Sequence, residues 1–390
     1  MPLPLGLYRA DHVGSLLRPK EILEARADLP KQDISDTSSL RPLEDKYISD
    51  VVRKQLKNGI RSVTDGEFRR AYFHLDFLQH LDGITVKGNL ASTSSGPGGF
   101  MPPTLVITGK VKHVKPIQLD DFLFLEKQIA EARKEGIVNG DEKVTTKVAI
   151  PSPTMCHFRG SRDTISQEAY PNDDLKDFFA DLARAYQAEI QSLYDAGCRF
   201  LQLDDTNLAY LCDPDMRAKA SDRHALSAEE ITEQYVALIN AAIENRPKDM
   251  TLGIHLCRGN FQSQWFASGG YEPVAQVLFE KLNVDCYFLE YDDARSGDFA
   301  PLRFLPPGKV VVLGVLSSKK AELDDKAAIV KRLKEAADHV KGGLDQLCVS
   351  HQCGFSSTME GNRLSEEQEW AKVRLEVEVA KEVWGDDISK

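Results

Sequence analysis

Short apolar runs recur along the chain, and each ends in polar or reactive residues: Ala10–Ser15, Ser62–Phe68, Lys147–Pro153, Phe200–Asp205, Leu252–Cys257, Cys286–Tyr291, Val310–Leu316 and Leu347–Cys353. Several, such as Val310–Leu313, lack polar alternation, the pattern of strands buried on both faces of a parallel sheet. Segments of helical period lie between them. Asp174–Ala196 puts Leu175, Phe178, Phe179, Leu182, Tyr186, Ile190 and Leu193 on one stripe, with Gly197 where a left-handed C-cap belongs. Glu322–Val340 repeats the pattern with Leu323, Ile329, Leu333, Ala337 and Val340, and stops at Gly342 and Gly343. Eight strand–helix units, with no Gly-x-Gly-x-x-Gly after the first strand, predict an α/β fold of the (β/α)8 TIM-barrel type rather than a doubly wound sheet.

The second and third strands are about 80 residues apart, far more than one crossover helix needs. Gly83–Gly88 and Thr104–Val111 alternate like an added hairpin, joined by the Ser/Gly-rich tip Ala91–Gly99, and Asp121–Lys134 reads as the displaced helix. No linker divides the chain, so residues 1–390 are expected to form one barrel domain carrying an insertion at about 83–135. Sixty acidic against 49 basic residues give a net charge of −11, which repels a phosphate backbone and argues against nucleic acid or anionic membranes as partners. No apolar run approaches the ~18 residues of a membrane span, and Met1–Leu7 lacks signal-peptide character, so a cytoplasmic location is expected. Seven cysteines are too few for a disulfide scaffold of this length. The oligomeric state has no signature in the chain.

Barrel chemistry collects at the C-terminal ends of strands. Because side chains alternate along a strand, His255 and Cys257 face the same way. Glu290 ends the sixth run and Cys353 the eighth. One imidazole, two thiolates and one carboxylate make a tetrahedral zinc site, although His351 shares a face with Cys353 and competes with Glu290 on pattern alone. Glu67 could instead pair with Arg69 or Arg70, and Asp204 could cap a helix through the cap-rich stretch Asp204–Asn207.

Taken together, His12–Ser15, Thr64–Arg69, Leu201–Asp204, His255–Cys257, Glu290 and Gln352–Gly354 resemble the C-terminal catalytic half of the cobalamin-independent methionine synthases. Cys257–Asn260 and Phe288–Asp293 are most similar to short, single-barrel, synthase-like relatives. The resemblance implies a zinc-dependent methyltransferase that moves a methyl group from 5-methyltetrahydrofolate or its polyglutamate to the zinc-bound thiol of homocysteine. It implies Zn²⁺ held by His255, Cys257, Glu290 and Cys353, preferring Glu290 to His351. It further implies that the amino-acid thiol is gripped by Val13, Ser15, Glu67 and Asp204.

On the donor side the chain departs from the family. Gly314–Lys320 places Lys319 where a histidine is expected to protonate the leaving nitrogen, and an ordinary lysine (pKa ~10.4) serves poorly there unless burial lowers it. Pro151–Cys156 replaces an expected aromatic platform. Trp265, Phe266 and Tyr271 could form an aromatic lid or simply pack, and Arg258 and Arg295 could bind an anionic tail or form surface ion pairs. The adjacent Cys156 and His157 point apart on a strand and make no second metal site; the other cysteines read as small buried residues. Two alternatives stay open: thiol alkylation from another donor, such as a corrinoid methyl or an activated small electrophile, and a non-catalytic barrel with structural zinc or redox-sensing thiols.

Overall fold

The computed structural model describes residues 2–27, 38–87 and 104–389. Nine strands occur among them in chain order: β1 (Ser62–Val63), β2 (Asp82–Lys87), β3 (Thr104–Lys112), β4 (Thr145–Pro151), β5 (Phe200–Asp205), β6 (Thr251–Leu256), β7 (Cys286–Glu290), β8 (Val310–Leu316) and β9 (Leu347–His351). Seven pair in parallel in the order β1-β4-β5-β6-β7-β8-β9, one curled sheet with helices in the crossovers. None of the described helices is long and apolar enough to cross a membrane.

The first predicted strand, Ala10–Ser15, is not a regular strand, and the second shrinks to Ser62–Val63. Gly14, Gly66 and Glu67 all have positive φ, which interrupts the ladder on both segments. Irregular bonds take its place. Ala10 bridges Val349 of β9 in parallel, while His12 Nε2 lies 2.8 Å from Ser62 O and Thr64 Oγ1 donates to Gly14 O at 2.7 Å. The N-terminal segment thus joins β9 to β1 and closes the curl as the eighth stave.

Period-two alternation sorts the strand residues into two layers. Phe200, Cys286, Phe288, Val310, Val312 and Cys348 pack with Leu7 as a cluster separate from the main core, filling the barrel interior. A Cβ on Gly253 would meet Cys286 Sγ at 3.0 Å and Phe288 at 3.3 Å, so the interior is full at that level. The same parity continued one step along each strand brings Asp204, His255 and Glu290 inward at the upper ends of β5, β6 and β7. Register sets Asp204 beside His255 and Gln202 beside Gly253.

The insertion is as expected, with small shifts. β2 and β3 form an antiparallel hairpin, followed by the helix Leu119–Lys134. The Ser/Gly tip Ala91–Gly99 lies outside the described residues. Ile84, Leu105, Ile107 and Val111 of the hairpin belong to the same hydrophobic cluster as the barrel, and Val111 N–H donates to Tyr170 Oη at 2.7 Å. The helix Lys176–Asp195 buries the predicted stripe, and Gly197 has φ +111°. The helix predicted over Glu322–Val340 spans only Lys326–Ala337, because Asp325 caps it by accepting from Ala328 N–H at 2.7 Å. Leu323 consequently falls before the helix and is 56% exposed instead of buried.

Lys147 projects into the barrel with no exposed side-chain surface. Its ammonium lies 2.6 Å from Asp11 Oδ1, donates also to His12 O, and sits over the Phe288 ring at 4.7 Å. It pins the N-terminal stave to the sheet. Breaking a buried pair strands one charge, at a cost of about 3–5 kcal/mol. Lys147→Met is therefore expected to lower unfolding stability in urea by that amount, and adding Asp11→Asn should recover part of the loss. Equal stability of wild type and Lys147→Met would show that the pair does not hold the stave.

Candidate metal centre and its cavity

The upper end of the barrel gathers the predicted ligands. His255 points inward from β6; Cys257, two residues on, keeps an extended course because its N–H donates to Asp205 O at 2.8 Å. Glu290 is the last residue of β7. Cys353 follows the end of β9, where Gly354 lets the returning chain approach the N-terminal stave: a Cβ there would lie 1.9 Å from Ser15 Oγ. One ligand atom from each of His255, Cys257, Glu290 and Cys353 lies within 4.8 Å of all the others, and the two sulfurs are 3.3 Å apart.

These residues fit a zinc ion. Both ring nitrogens of His255 are buried without a hydrogen-bond partner, an arrangement costing ~1–3 kcal/mol per group unless a ligand answers it. Burial holds the His255 pKa down at about 4, which keeps the imidazole in its neutral, ligating form. Tetrahedral zinc with bonds of ~2.0–2.3 Å separates its ligand atoms by ~3.3–3.8 Å, within small adjustments of this cluster. The sulfur–sulfur hydrogen bond pulls the Cys353 thiol below its ordinary range and pushes Cys257 up.

His351 does not join them. It lies on the outward face of β9, with Nδ1 2.7 Å from Glu376 Oε2 on the helix Glu366–Trp384, and burial lowers its pKa to about 3. β9 ends at His351, so the alternation that would align it with Cys353 does not continue.

Behind Glu290 stands a cationic wall. Glu290 Oε1 accepts from Arg258 N–H at 2.9 Å, and Oε2 lies 3.3 Å from Arg295 Nη2. Although desolvation works to raise it, Lys319, Arg258 and Arg295 together hold the Glu290 carboxyl below the usual range. The expected surface ion pairs of Arg258 and Arg295 are not found at the surface. Arg258 is completely buried, donating to Tyr271 Oη at 2.9 Å and Gly269 O at 2.7 Å, and only 8% of the Arg295 side chain is exposed. Tyr271 is a fully buried brace that also accepts from Glu290 N–H at 2.9 Å. Trp265 lies at the surface under Arg295, and of the three aromatics only Phe266 borders the cavity.

Lys319 is buried, with Nζ donating to Gly259 O at 3.2 Å. Desolvation acts to lower its pKa, but Glu290, Cys353 and Cys257 outweigh it and leave the pKa above the ordinary lysine value.

A cavity of about 320 Å³ opens on this centre and is bordered by Val13, Ser15, Glu67, Asp204, His255, Cys257 and Cys353. Glu67 holds a left-handed backbone, φ 60°, supported by its N–H donating to Asp65 Oδ1 at 2.9 Å; such strain is kept where geometry matters to function. Its Oε2 lies 3.5 Å from Arg70 Nη1, so the ion pair with Arg70 coexists with a place in the cavity wall, while Arg69 pairs elsewhere, with Asp45 and Asp121. Asp204 accepts from Gln202 Nε2 at 2.7 Å, and Gln202 also donates to Val13 O at 2.7 Å. The capping role falls to Asp205, which accepts from Leu208 N–H at 2.8 Å. Burial raises both Glu67 and Asp204, and their mutual repulsion drives Asp204 further up. Ser15 Oγ accepts from Ser356 N–H at 3.3 Å.

The remaining cavity wall was not read from the sequence. Tyr72, His74, Phe158, Tyr210 and Phe261 line it, with Arg159 and Arg223. These residues come from loops and from the helix Pro214–His224, where neither period nor motif marks them.

The catalytic domain of cobalamin-independent synthase matches residues 9–382. The protein YxjH of Bacillus subtilis (strain 168), described as uncharacterized, is 41% identical over 382 residues, covering 97% of this chain and 95% of its own. Its paralogue YxjG, described in the same way, is 40% identical over 386 residues with the same coverage. A crystal structure of a putative vitamin-B12 independent methionine synthase from Listeria monocytogenes aligns with a TM-score of 0.73 at 37% identity, covering 99% of this chain and all of the other. The chain belongs to the cobalamin-independent synthase family, whose catalytic domain it carries along almost its whole length.

Proposed function

We propose that this chain transfers a methyl group to the sulfur of homocysteine, giving methionine, with Zn²⁺ held by His255, Cys257, Glu290 and Cys353 and with 5-methyltetrahydrofolate or its polyglutamate as donor. The observation that carries the reading is that His255, Cys257 and Cys353 of the four-residue metal cluster border one cavity together with two cation-seeking carboxylates, Glu67 and Asp204. Zinc in that cluster supplies the Lewis acidity that keeps a substrate thiol ionised at neutral pH.

The chain's own residues do the rest. Glu67 and Asp204, buried and mutually repelling, are relieved by an α-ammonium group, which both can reach by charge-assisted hydrogen bonds. Val13 and Ser15 border the cavity beside them and orient the amino-acid backbone. Glu290 would be one of the residues holding the ion, and its partners on the far side, Arg258 N–H and Arg295, keep its carboxylate from being an isolated buried charge. Lys319 acts by charge: two thiolates and a carboxylate outweigh Zn²⁺ by one negative charge, and a buried ammonium beside them restores neutrality. The sulfur forms its bond to the methyl carbon as the donor's carbon–nitrogen bond breaks, and the nitrogen keeps the electron pair and takes its proton from water at the cavity mouth.

One observation favours a second donor reading. Lys319 stands where the family resemblance expects a histidine, and a lysine of ordinary pKa, ~10.4, is a weak acid at neutral pH, which suits a donor whose leaving group needs no proton, such as an activated small electrophile. The seven buried, unpaired cysteines accord with a reducing, cytoplasmic setting.

Methionine formed from homocysteine and 5-methyltetrahydrofolate by the zinc-loaded protein would support the first reading; turnover with a sulfonium donor alone would support the second. Cys257→Ser and Cys353→Ser are each expected to lose zinc by elemental mass spectrometry, while Cys198→Ser and His351→Gln keep it. Full retention in both ligand variants would remove the site. Lys319→Ala should lower kcat about tenfold or more, ~1.4 kcal/mol of transition-state stabilisation, at unchanged zinc content. Unaltered kinetics would take Lys319 out of the mechanism.

A further inference from the structure

Beyond the thiol end, the cavity wall becomes aromatic and then cationic. Tyr72, Phe158, Tyr210 and Phe261 border it, with Arg159 and Arg223. Arg223 donates from Nη1 to Phe158 O at 3.1 Å, so the two guanidinium groups are anchored on consecutive residues of one loop. Both side chains belong to exposed residues, and among the described residues neither has a carboxylate within 4.0 Å. Arg258 and Arg295, by contrast, are committed to Glu290.

A second observation marks the same wall. His74 is buried, its Nδ1 has no partner, and its ring borders the cavity 4.8 Å from the Phe73 ring. It is a polar group in an otherwise aromatic wall whose hydrogen bond is left open, the usual mark of a pocket that orients a heteroatom-bearing ring. Aromatic faces, one open imidazole and two guanidinium groups with no carboxylate partner among the described residues together describe a planar heteroaromatic ligand with a carboxylate tail.

Resting on the methyltransferase reading above, we infer that Arg159 and Arg223 are the specificity residues of the donor, receiving an anionic tail at the cavity mouth while its ring lies against His74 and the aromatic wall. They act on donor affinity and not on the thiol. Neither residue touches the metal cluster, so their loss leaves zinc and acceptor binding intact.

The test uses the full-length, zinc-loaded chain and two probes: folic acid, which has the ring and the carboxylate tail, and 6-methylpterin, which keeps the ring and lacks every carboxylate. Binding is followed by calorimetry in wild type and in Arg159→Gln/Arg223→Gln, with homocysteine binding measured on the same samples. The expected result is at least a tenfold loss of folate affinity in the double variant, with 6-methylpterin and homocysteine affinities unchanged. Raised salt should weaken folate binding in wild type and much less in the variant. Unchanged folate affinity in the variant, equal loss for both probes, or no folate binding by wild type would each overturn the assignment. Retained homocysteine binding in any of these cases leaves the acceptor half of the proposed function standing, whereas its absence in wild type would count against that function itself.

Discussion

The upper end of this barrel is organised by the problem of burying acids together. Cys257, Cys353, Glu67 and Asp204 border one cavity with Glu290 beside the two thiols, and all five are at most 9% exposed, so each in its ionised form would oppose the others in a medium that screens poorly. The molecule solves this with two kinds of cation. Lys319, Arg258 and Arg295 stand behind Glu290 and hold it ionised, and Arg70 stands beside Glu67. The orphaned nitrogens of His255 and the unrelieved repulsion between Glu67 and Asp204 are the remaining imbalance. A divalent metal removes the first and an amino-acid ammonium the second, so ligand chemistry follows from what the fold leaves uncompensated.

That arrangement depends on the layer beneath it. Phe200, Phe288 and Val312 fill the barrel floor, and Gly253 is bare because no Cβ fits beside them. With the floor packed, the next inward position on each strand is forced upward into the mouth, which is where Asp204, His255 and Glu290 stand. Lys147 ties Asp11 and the N-terminal stave into the same floor, so Val13 and Ser15 reach the cavity only because a buried ion pair lower down holds their segment in place.

The strands from Lys147 onward and the gathering of His255, Cys257, Glu290 and Cys353 at strand ends were legible because both obey a period of two along a strand, although that period alone left His351 level with Glu290 and the family resemblance chose between them. What failed to show was of a different kind. Ala10–Ser15 reads as a strand but carries Gly14 at φ +134°, and only the assembled fold reveals that side-chain hydrogen bonds replace its ladder. Arg258 and Arg295 look like surface cations, since nothing in their neighbours announces that Glu290 is buried against them. Arg159, Arg223 and His74 come from loops and one short helix, brought together by contacts remote in sequence, and no local pattern could have joined them.

The two ends of the cavity therefore differ in how they are specified. The thiol end is built on strand termini, where register fixes Asp204 beside His255 to within a fraction of a residue. The far end is built on loops, where insertions and substitutions are tolerated far more readily. A family that keeps one acceptor chemistry while changing its methyl source would be expected to vary at this second end. Lys319 follows β8 and stands with the thiols and Glu290, whereas Arg159 and Arg223 border the far end. Rigid strands hold the reacting sulfur, and the loops around them decide what is brought to it.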